Sequence, residues 1–252
     1  MFQETTATVI GGRSAGRFKA AAGYSTDNVG VQPNLREQRR WAYENPRPEV
    51  QALVPPAAER ILDLGCASGA LGEALKARQE AEVVGVEVDP AYADDASGRL
   101  DRVLTGDLED LFVHPPGELG RFDCVIAADV LEHLRDPWRV LGSATALLNP
   151  GGTAVVSLPN VRYWETLWQL GVRGTWPRRS EGIFDRTHLR WFTASDAMQM
   201  MEGAGVPVTE LSRQYRLKPG DWQTARQARR FSRTPLRPFL VFQYVMAGRR
   251  AG

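Results

Sequence analysis

Three carboxylates stand where apolar, β-branched runs give way to polar sequence: Asp63 in RILDLG, Glu87 in VVGVEVDP and Asp107 in TGDLED. None has an obvious cationic partner in its own segment, so three strand tips side by side would form an acidic crevice. Asp63 suits an ammonium group, Glu87 can accept two hydrogen bonds from a ribose diol, and Asp107 with Leu108 suits the amino group and ring face of adenine. Between the first two lies a turn containing Gly65, Ala67 and Gly69, through which a ligand can approach the backbone. The spacing Gly65, Gly69, Gly72 is not the Gly-x-Gly-x-x-Gly of a dinucleotide site, and Asp63 would repel a pyrophosphate. A nicotinamide-dependent dehydrogenase is therefore disfavoured. A single acidic residue ending a strand usually faces solvent; the ordered succession argues for a ligand site.

Proton-transfer chemistry has three histidines to draw on. His114 lies in the proline-rich turn VHPPGE and is set aside. His133 closes Asp129-Val130-Leu131-Glu132-His133, just after the run FDCVIAAD, and is the leading candidate general base, with Asp129 as a second catalytic candidate. The i, i+3, i+4 spacing could place Asp129, Glu132 and His133 on one helical face. A structural His133 is the competing reading. His188, in FDRTHLRW, is either a second base or donor, or a residue bound to Asp185 or to backbone. Tyr163, Trp164, Trp168 and Trp191 could line an aromatic wall for a cationic or planar ligand, or could simply pack. Arg186 and its neighbours suit an anionic group on a ligand, although such clusters are often solvated. Cys66 and Cys124 read as small packing residues, with neither a disulfide nor a zinc site expected.

These residues must be held by a parallel sheet. Apolar runs at 60–65, 82–88, 102–107, 122–129 and 152–159 alternate with helical patterns, which predicts an α/β, doubly wound, Rossmann-like architecture. Leu71, Ala74 and Leu75 mark one helical face; Asp136 and Pro137 open another helix, expected to stop at Asn149-Pro150-Gly151-Gly152. Runs at 206–212 and 239–248 supply two more strands, giving a mostly parallel seven-stranded sheet. Residues 160–192, rich in tryptophan and arginine, are read as a lid inserted after the fifth strand, followed by a helix that Thr193 and Asp196 cap. Residues 1–45 form an N-terminal segment expected to lack order or to close over the site, and 46–252 the main domain.

The succession LDLGCASG, VGVEVD, TGDLED, FDCVIAADVLEHL and LNPGG resembles the ordered motifs of class I S-adenosylmethionine-dependent methyltransferases over roughly 60–160. SLPNVRYWETLWQL with EGIFDRTHLRWFT looks like the lid of bacterial members near the ubiquinone-biosynthesis O-methyltransferases and methionine-biosynthesis-like methyltransferases. The resemblance implies that Asp63, Gly65 and Gly69, with Cys66 and Ala67 in the same loop, hold the methionine part of S-adenosylmethionine. It assigns Glu87, beside Val88, to the ribose, Asp107 and Leu108 to the adenine, and counts Asp129 among the cofactor-binding residues. Ala67 stands where the family pattern has another glycine. The Asp129–His133 cluster also resembles the carboxylate-x-x-Glu-His set that binds a divalent ion in ubiquinone-type enzymes. Because Leu-Glu-His is widespread in the wider family as a structural element, no metal is expected here.

Lys plus Arg (31) nearly balances Asp plus Glu (30), so the strong basic field of a nucleic-acid binder is lacking. No signal-peptide pattern or long apolar run is evident, and a cytoplasmic protein is expected. The expected partner is a small-molecule acceptor, methylated on oxygen or next on nitrogen, with no nucleic acid or membrane and with a homodimer left open. A non-catalytic S-adenosylmethionine-binding subunit is the alternative.

Overall fold

Strands buried on both faces read as nearly unbroken apolar runs, and five such runs form the parallel part of one sheet. The computed structural model describes residues 43–215 and 234–252. The chain passes through α1 (Pro48–Gln51), β1 (Arg60–Leu64), α2 (Ala70–Arg78), β2 (Glu82–Glu87), α3 (Pro90–Ser97), β3 (Arg102–Thr105) and α4 (Leu108–Leu111). It continues through β4 (Phe122–Ala128), α5 (Pro137–Thr145), β5 (Leu148–Pro159) and α6 (Trp164–Leu167), the last running into a π-helical turn over Trp168–Val172. α7 (Ala194–Gly203), β6 (Val208–Gln214), α8 (Arg237–Leu240) and β7 (Gln243–Arg249) complete the described part. Most of the expected N-terminal segment (1–42), together with residues 216–233, lies outside the described residues.

The seven strands are ordered β3-β2-β1-β4-β5-β7-β6. β1 to β5 pair in parallel, whereas β7 runs antiparallel between β5 and β6. The order reverses between β1 and β4, the switch point at which open α/β sheets bind ligands beyond the carboxyl ends of their strands. Side-chain alternation sorts the core into two layers. Leu62, Leu64, Val84, Val86, Val125 and Val156 pack under α5 and α7, while Ile61, Val83, Ile126, Val155 and Val245 pack under α1 and α2. The same parity places Asp63, Glu87, Ser157 and Gln243 on the α1 and α2 face.

Two boundaries differ from the sequence expectation. α5 begins where Asp136 caps it, its carboxylate accepting from the Arg139 N–H at 3.1 Å, but it ends at Thr145. Asn149-Pro150-Gly151-Gly152 then lies inside β5 instead of stopping the helix. Leu148 pairs with Phe122 and Thr153 with Cys124, and the Pro-Gly segment bulges out between them, Gly151 adopting φ 75°. β3 likewise ends at Thr105, and Asp107 caps α4 by accepting from the Glu109 N–H at 2.7 Å. The capping box of Thr193 and Asp196 forms at the start of α7.

Candidate functional site

The glycine turn leaves β1 at the switch point and is pinned by backbone bonds from Gly65 and Cys66 N–H to the Val86 carbonyl, at 2.8 and 3.0 Å. Gly65 has φ 71°, and a Cβ there would lie 2.7 Å from Val130 Cγ2, so the position demands glycine on two counts. Ala67 also takes a left-handed backbone, φ 48°, unusual for a residue with a side chain. Its N–H donates to Glu87 Oε2 at 2.9 Å, and Asp89 N–H donates to Glu87 Oε1 at 2.9 Å. Glu87 thus ties the turn to the end of β2 and keeps further lone pairs for a ligand. Burial raises its pKa, against the pull of those backbone donors.

Asp63 is 2% exposed, and burial pushes its carboxyl up to about 7; Arg47 pulls it back and Glu87 pushes it further. Arg47 carries no motif that would single it out in the sequence. It precedes α1 with φ 53°, and its Nη2 donates to Asp129 Oδ2 at 3.0 Å and to Ser157 Oγ at 3.1 Å, while Nε donates to Glu49 at 2.6 Å. Burial works against the Arg47 charge, yet Asp129 and Glu49 outweigh it and raise its pKa. Asp129 follows β4 with φ 55°. It accepts from Ser157 Oγ at 2.8 Å and from Gln243 Nε2 at 2.6 and 2.7 Å. Asp129 follows β4, and Ser157 and Gln243 lie in β5 and β7, so three neighbouring strands converge here.

Asp129 therefore does not share a helical face with the residues that follow it. Leu131–His133 form a separate 3-10 turn, in which Glu132 is buried and His133 half-buried. Residues 160–192 leave and return at one point: Val161 N–H donates to the Phe192 carbonyl at 3.0 Å, beside a bridge between Asn160 and Phe192. The returning arm docks on the 3-10 turn through Leu189 and Arg190 N–H groups, which both donate to the Glu132 carbonyl, at 2.8 and 3.0 Å. This docking brings the His188 ring to the His133 ring, centroids 4.7 Å apart and nearly perpendicular. His188 Nδ1 faces the Ile183 carbonyl at 3.3 Å, a backbone contact, and burial, aided by His133, lowers its pKa to about 4. Glu132, buried and beside Asp129, has its pKa raised well above the carboxylate range.

A family model described as "Methyltransferase domain" matches residues 35–211. The chain belongs to this methyltransferase family. Its seven-stranded sheet agrees with a methyltransferase from Archaeoglobus fulgidus described as SAM dependent, TM-score 0.58 at 16% identity, covering 86% of this chain and 98% of that one. The 1,6-didemethyltoxoflavin-N1-methyltransferase of Burkholderia thailandensis, solved with 1,6-didemethyltoxoflavin and S-adenosylhomocysteine, gives TM-score 0.54 at 17% identity over 86% and 83% of the two chains. At such identities the likeness is one of fold. The ubiquinone biosynthesis O-methyltransferase of Azorhizobium caulinodans is 39% identical over 119 residues, 44% of this chain and 45% of that protein. The chain spans about half the length of the curated relatives it matches.

Within this methyltransferase fold the remaining expected site residues are distributed unevenly. Leu108 is buried at the start of α4, next to the Asp107 cap. Val88 is 55% exposed just beyond β2. Cys66 packs over Gly85, where a Cβ would come within 2.5 Å of its Sγ, and burial first, then Asp63 and Glu87, push its thiol far above the reactive range. The expected aromatic wall divides into separate groups. Tyr163 is buried edge-on against Phe242, with Trp164 beside it, while Trp191 stacks edge-on to Trp176, which meets Phe184. Trp164 and Trp168 are about half exposed, and Arg186 is exposed. No helix among the described residues is long and apolar enough to cross a membrane.

Proposed function

We propose that this chain transfers a methyl group from S-adenosylmethionine to a small acceptor, first an oxygen in specialised or quinone-type metabolism and next a nitrogen. The observation that carries the reading is the switch-point arrangement: a buried carboxylate, Asp63, beside a guanidinium, Arg47, beneath a glycine turn tied to Glu87. A zwitterionic amino-acid end needs both signs of charge at once. Asp63 takes its ammonium and the two Nη1 hydrogens of Arg47, not used by Glu49, Asp129 or Ser157, take its carboxylate. Glu87 then takes the ribose, and Asp107 with Leu108 the adenine. The group supplies an electrophilic methyl on a sulfonium, and the protein's task is to align an acceptor with it in a dry site.

The acceptor side is assigned to the mouth between the 3-10 turn and the 160–192 segment. There His133, half-buried, serves as the general base. His188, neutral by virtue of its burial, serves as the second proton acceptor. Calorimetry with S-adenosylmethionine and S-adenosylhomocysteine tests the first half of the reading. Turnover to S-adenosylhomocysteine over matched phenol, enol and amine acceptors tests the second. Saturable binding without turnover on any of them would favour a non-catalytic subunit. No binding, with saturation by a nicotinamide dinucleotide, would end the proposal.

A further inference from the structure

Three arginines gather at the end of the sheet where β5 stops and β7 begins, and none of them serves the switch-point site. β7 returns antiparallel, so Tyr244 stands in register with Leu158 of β5 on one side and Arg213 of β6 on the other. Residues paired across antiparallel strands direct their side chains to the same face, which brings Arg213 alongside Tyr244. Arg162 and Arg237 arrive from the segments that follow β5 and precede β7. Fully buried Asn160 joins those two segments: its Oδ1 accepts from the Arg162 N–H at 3.1 Å, and its Nδ2 donates to the Pro238 and Val241 carbonyls at 2.7 and 2.8 Å. The Arg162 guanidinium lies over the Phe239 ring, 4.9 Å from its centroid.

This cluster lacks the acceptors that its donors call for. Among the described residues none of the three guanidiniums is in an ion pair with a carboxylate, and Arg213 gives only Nη1, to the Leu211 carbonyl at 3.4 Å. Arg237 Nε is buried with no hydrogen-bond partner. Tyr244 is 5% exposed, and its hydroxyl has no hydrogen-bond partner among the described residues. Burial raises the Tyr244 pKa, and the charges of Arg213, Arg162 and Arg237 all bear on it in the opposite sense, so the three cations share one small region. Like charges gathered without a counter-charge, around a buried N–H and a buried phenol that both stand unpaired, are costly unless an anion arrives to use them.

We propose that Arg162, Arg213, Arg237 and the Tyr244 hydroxyl form a subsite for a tetrahedral oxyanion of the phosphomonoester class. A carboxylate is satisfied by a single guanidinium in bidentate array. Here donors come from four places, the exit of β5, β6, α8 and β7, and a phosphoryl group presents its terminal oxygens in as many directions as such a set can use. The guanidiniums stay charged at any working pH, and the phenol, kept protonated by burial, donates. The subsite lies at the root of the 160–192 segment, and Gln243, next to Tyr244, reaches Asp129 on the opposite face of the sheet. It is placed to hold an acidic group carried by the acceptor; that assignment rests on the methyl-transfer reading, whereas the oxyanion subsite does not.

The test uses the full chain. Inorganic phosphate titrated by calorimetry, with and without saturating S-adenosylhomocysteine, should in both cases show a saturable anion for which sulfate competes and a tenfold excess of acetate does not. Arg162→Gln, Arg213→Gln and Tyr244→Phe should each weaken its binding at least fivefold, whereas Arg186→Gln, at an exposed arginine of the same segment, should change it less than twofold. The wild type supplies a reading that does not depend on variants folding: phosphate should move the ¹⁵Nε signal of Arg237. Phosphate binding by a chain that ignores S-adenosylhomocysteine would keep this inference and end the methyl-transfer reading. Pairs of phenol acceptors with and without a phosphomonoester identify the source of the oxyanion. A lower KM for the ester that Arg162→Gln abolishes puts it on the acceptor, and equal KM values assign the subsite to the free ion. Absence of saturation, equal competition by acetate, loss of phosphate binding when S-adenosylhomocysteine is present, unchanged affinity in Arg162→Gln and Arg213→Gln, or an unmoved Arg237 signal would overturn the proposal.

Discussion

Titrating S-adenosylmethionine into the protein between pH 5.5 and 7 measures how Asp63 is used. Burial sets its carboxyl near 7, with Glu87 raising it and Arg47 lowering it. A group titrating there is ionised in about half of the molecules at pH 7 and in about 3% at pH 5.5. If the ammonium binds only the carboxylate form, apparent affinity falls about 15-fold over that interval, and binding at pH 7 releases about half a proton. The sign for the free protein is opposite. A carboxyl whose folded pKa lies above its unfolded value of about 3.9 favours the protonated folded state, so stability declines as pH rises from about 4 to about 7, by up to roughly 4 kcal/mol. The ligand should restore that loss, and the rise in Tm on saturation should therefore be larger at pH 7 than at pH 5.5. Calorimetry in two buffers of different ionisation enthalpy gives both the affinity and the proton count. Asp63→Asn should bind weakly with a flat pH profile. A flat profile in the wild type, or the same slope in Asp63→Asn, would refute the reasoning.

Glu87→Ala removes the acceptor of the Ala67 and Asp89 N–H groups as well as the proposed ribose contacts, and should weaken cofactor binding by about 2–4 kcal/mol, or 30-fold or more; unchanged affinity by calorimetry would remove the ribose role. Ala67→Gly relieves a left-handed backbone worth about 1–2 kcal/mol while adding chain entropy in the unfolded state. Thermal melts should therefore show no loss and a gain of up to about 1 kcal/mol. Arg47→Met leaves Asp129 without its cation and should lower stability by about 1–3 kcal/mol, with a further drop in cofactor affinity that melts with and without ligand separate. With the true acceptor, His133→Ala should cut kcat by about 10²–10⁴ while cofactor affinity stays within about twofold; full turnover would exclude it as the base. His188, held near 4 by burial, stays neutral above about pH 5, so any acid loss of activity that it causes should appear only below that value.

What was legible in the sequence was whatever is written locally. The apolar runs marked β1 to β5, Asp136 and Thr193 marked helix starts, and Asp63 and Glu87 stood at strand ends where a period-two pattern must deliver them. Gly65 and Gly69 stand out in the turn sequence, and both take a left-handed backbone. What was not legible depends on pairing across the chain. Arg47 carries no motif, and it enters the site only because α1 packs on the face that Asp63, Ser157 and Gln243 share. Gln243 reaches Asp129 because β7 returns between β5 and β6, which no neighbouring residue announces. Helical spacing groups Asp129 with Glu132 and His133, but a left-handed step at Asp129 interrupts that spacing, and the returning segment brings His188 to the His133 ring. The Pro150-Gly151 bulge looked like a helix stop because the same residues serve both purposes.

The placement of β7 has a bearing on how the chain is made. During synthesis from the amino end, β5 and β6 both exist before the strand that joins them has left the ribosome, and each meanwhile presents an unpaired edge. Completion of the sheet waits for β7, whose Gln243 also closes the hydrogen-bond circle around Asp129. Substitutions that loosen β7 therefore act on solubility and on ligand binding together.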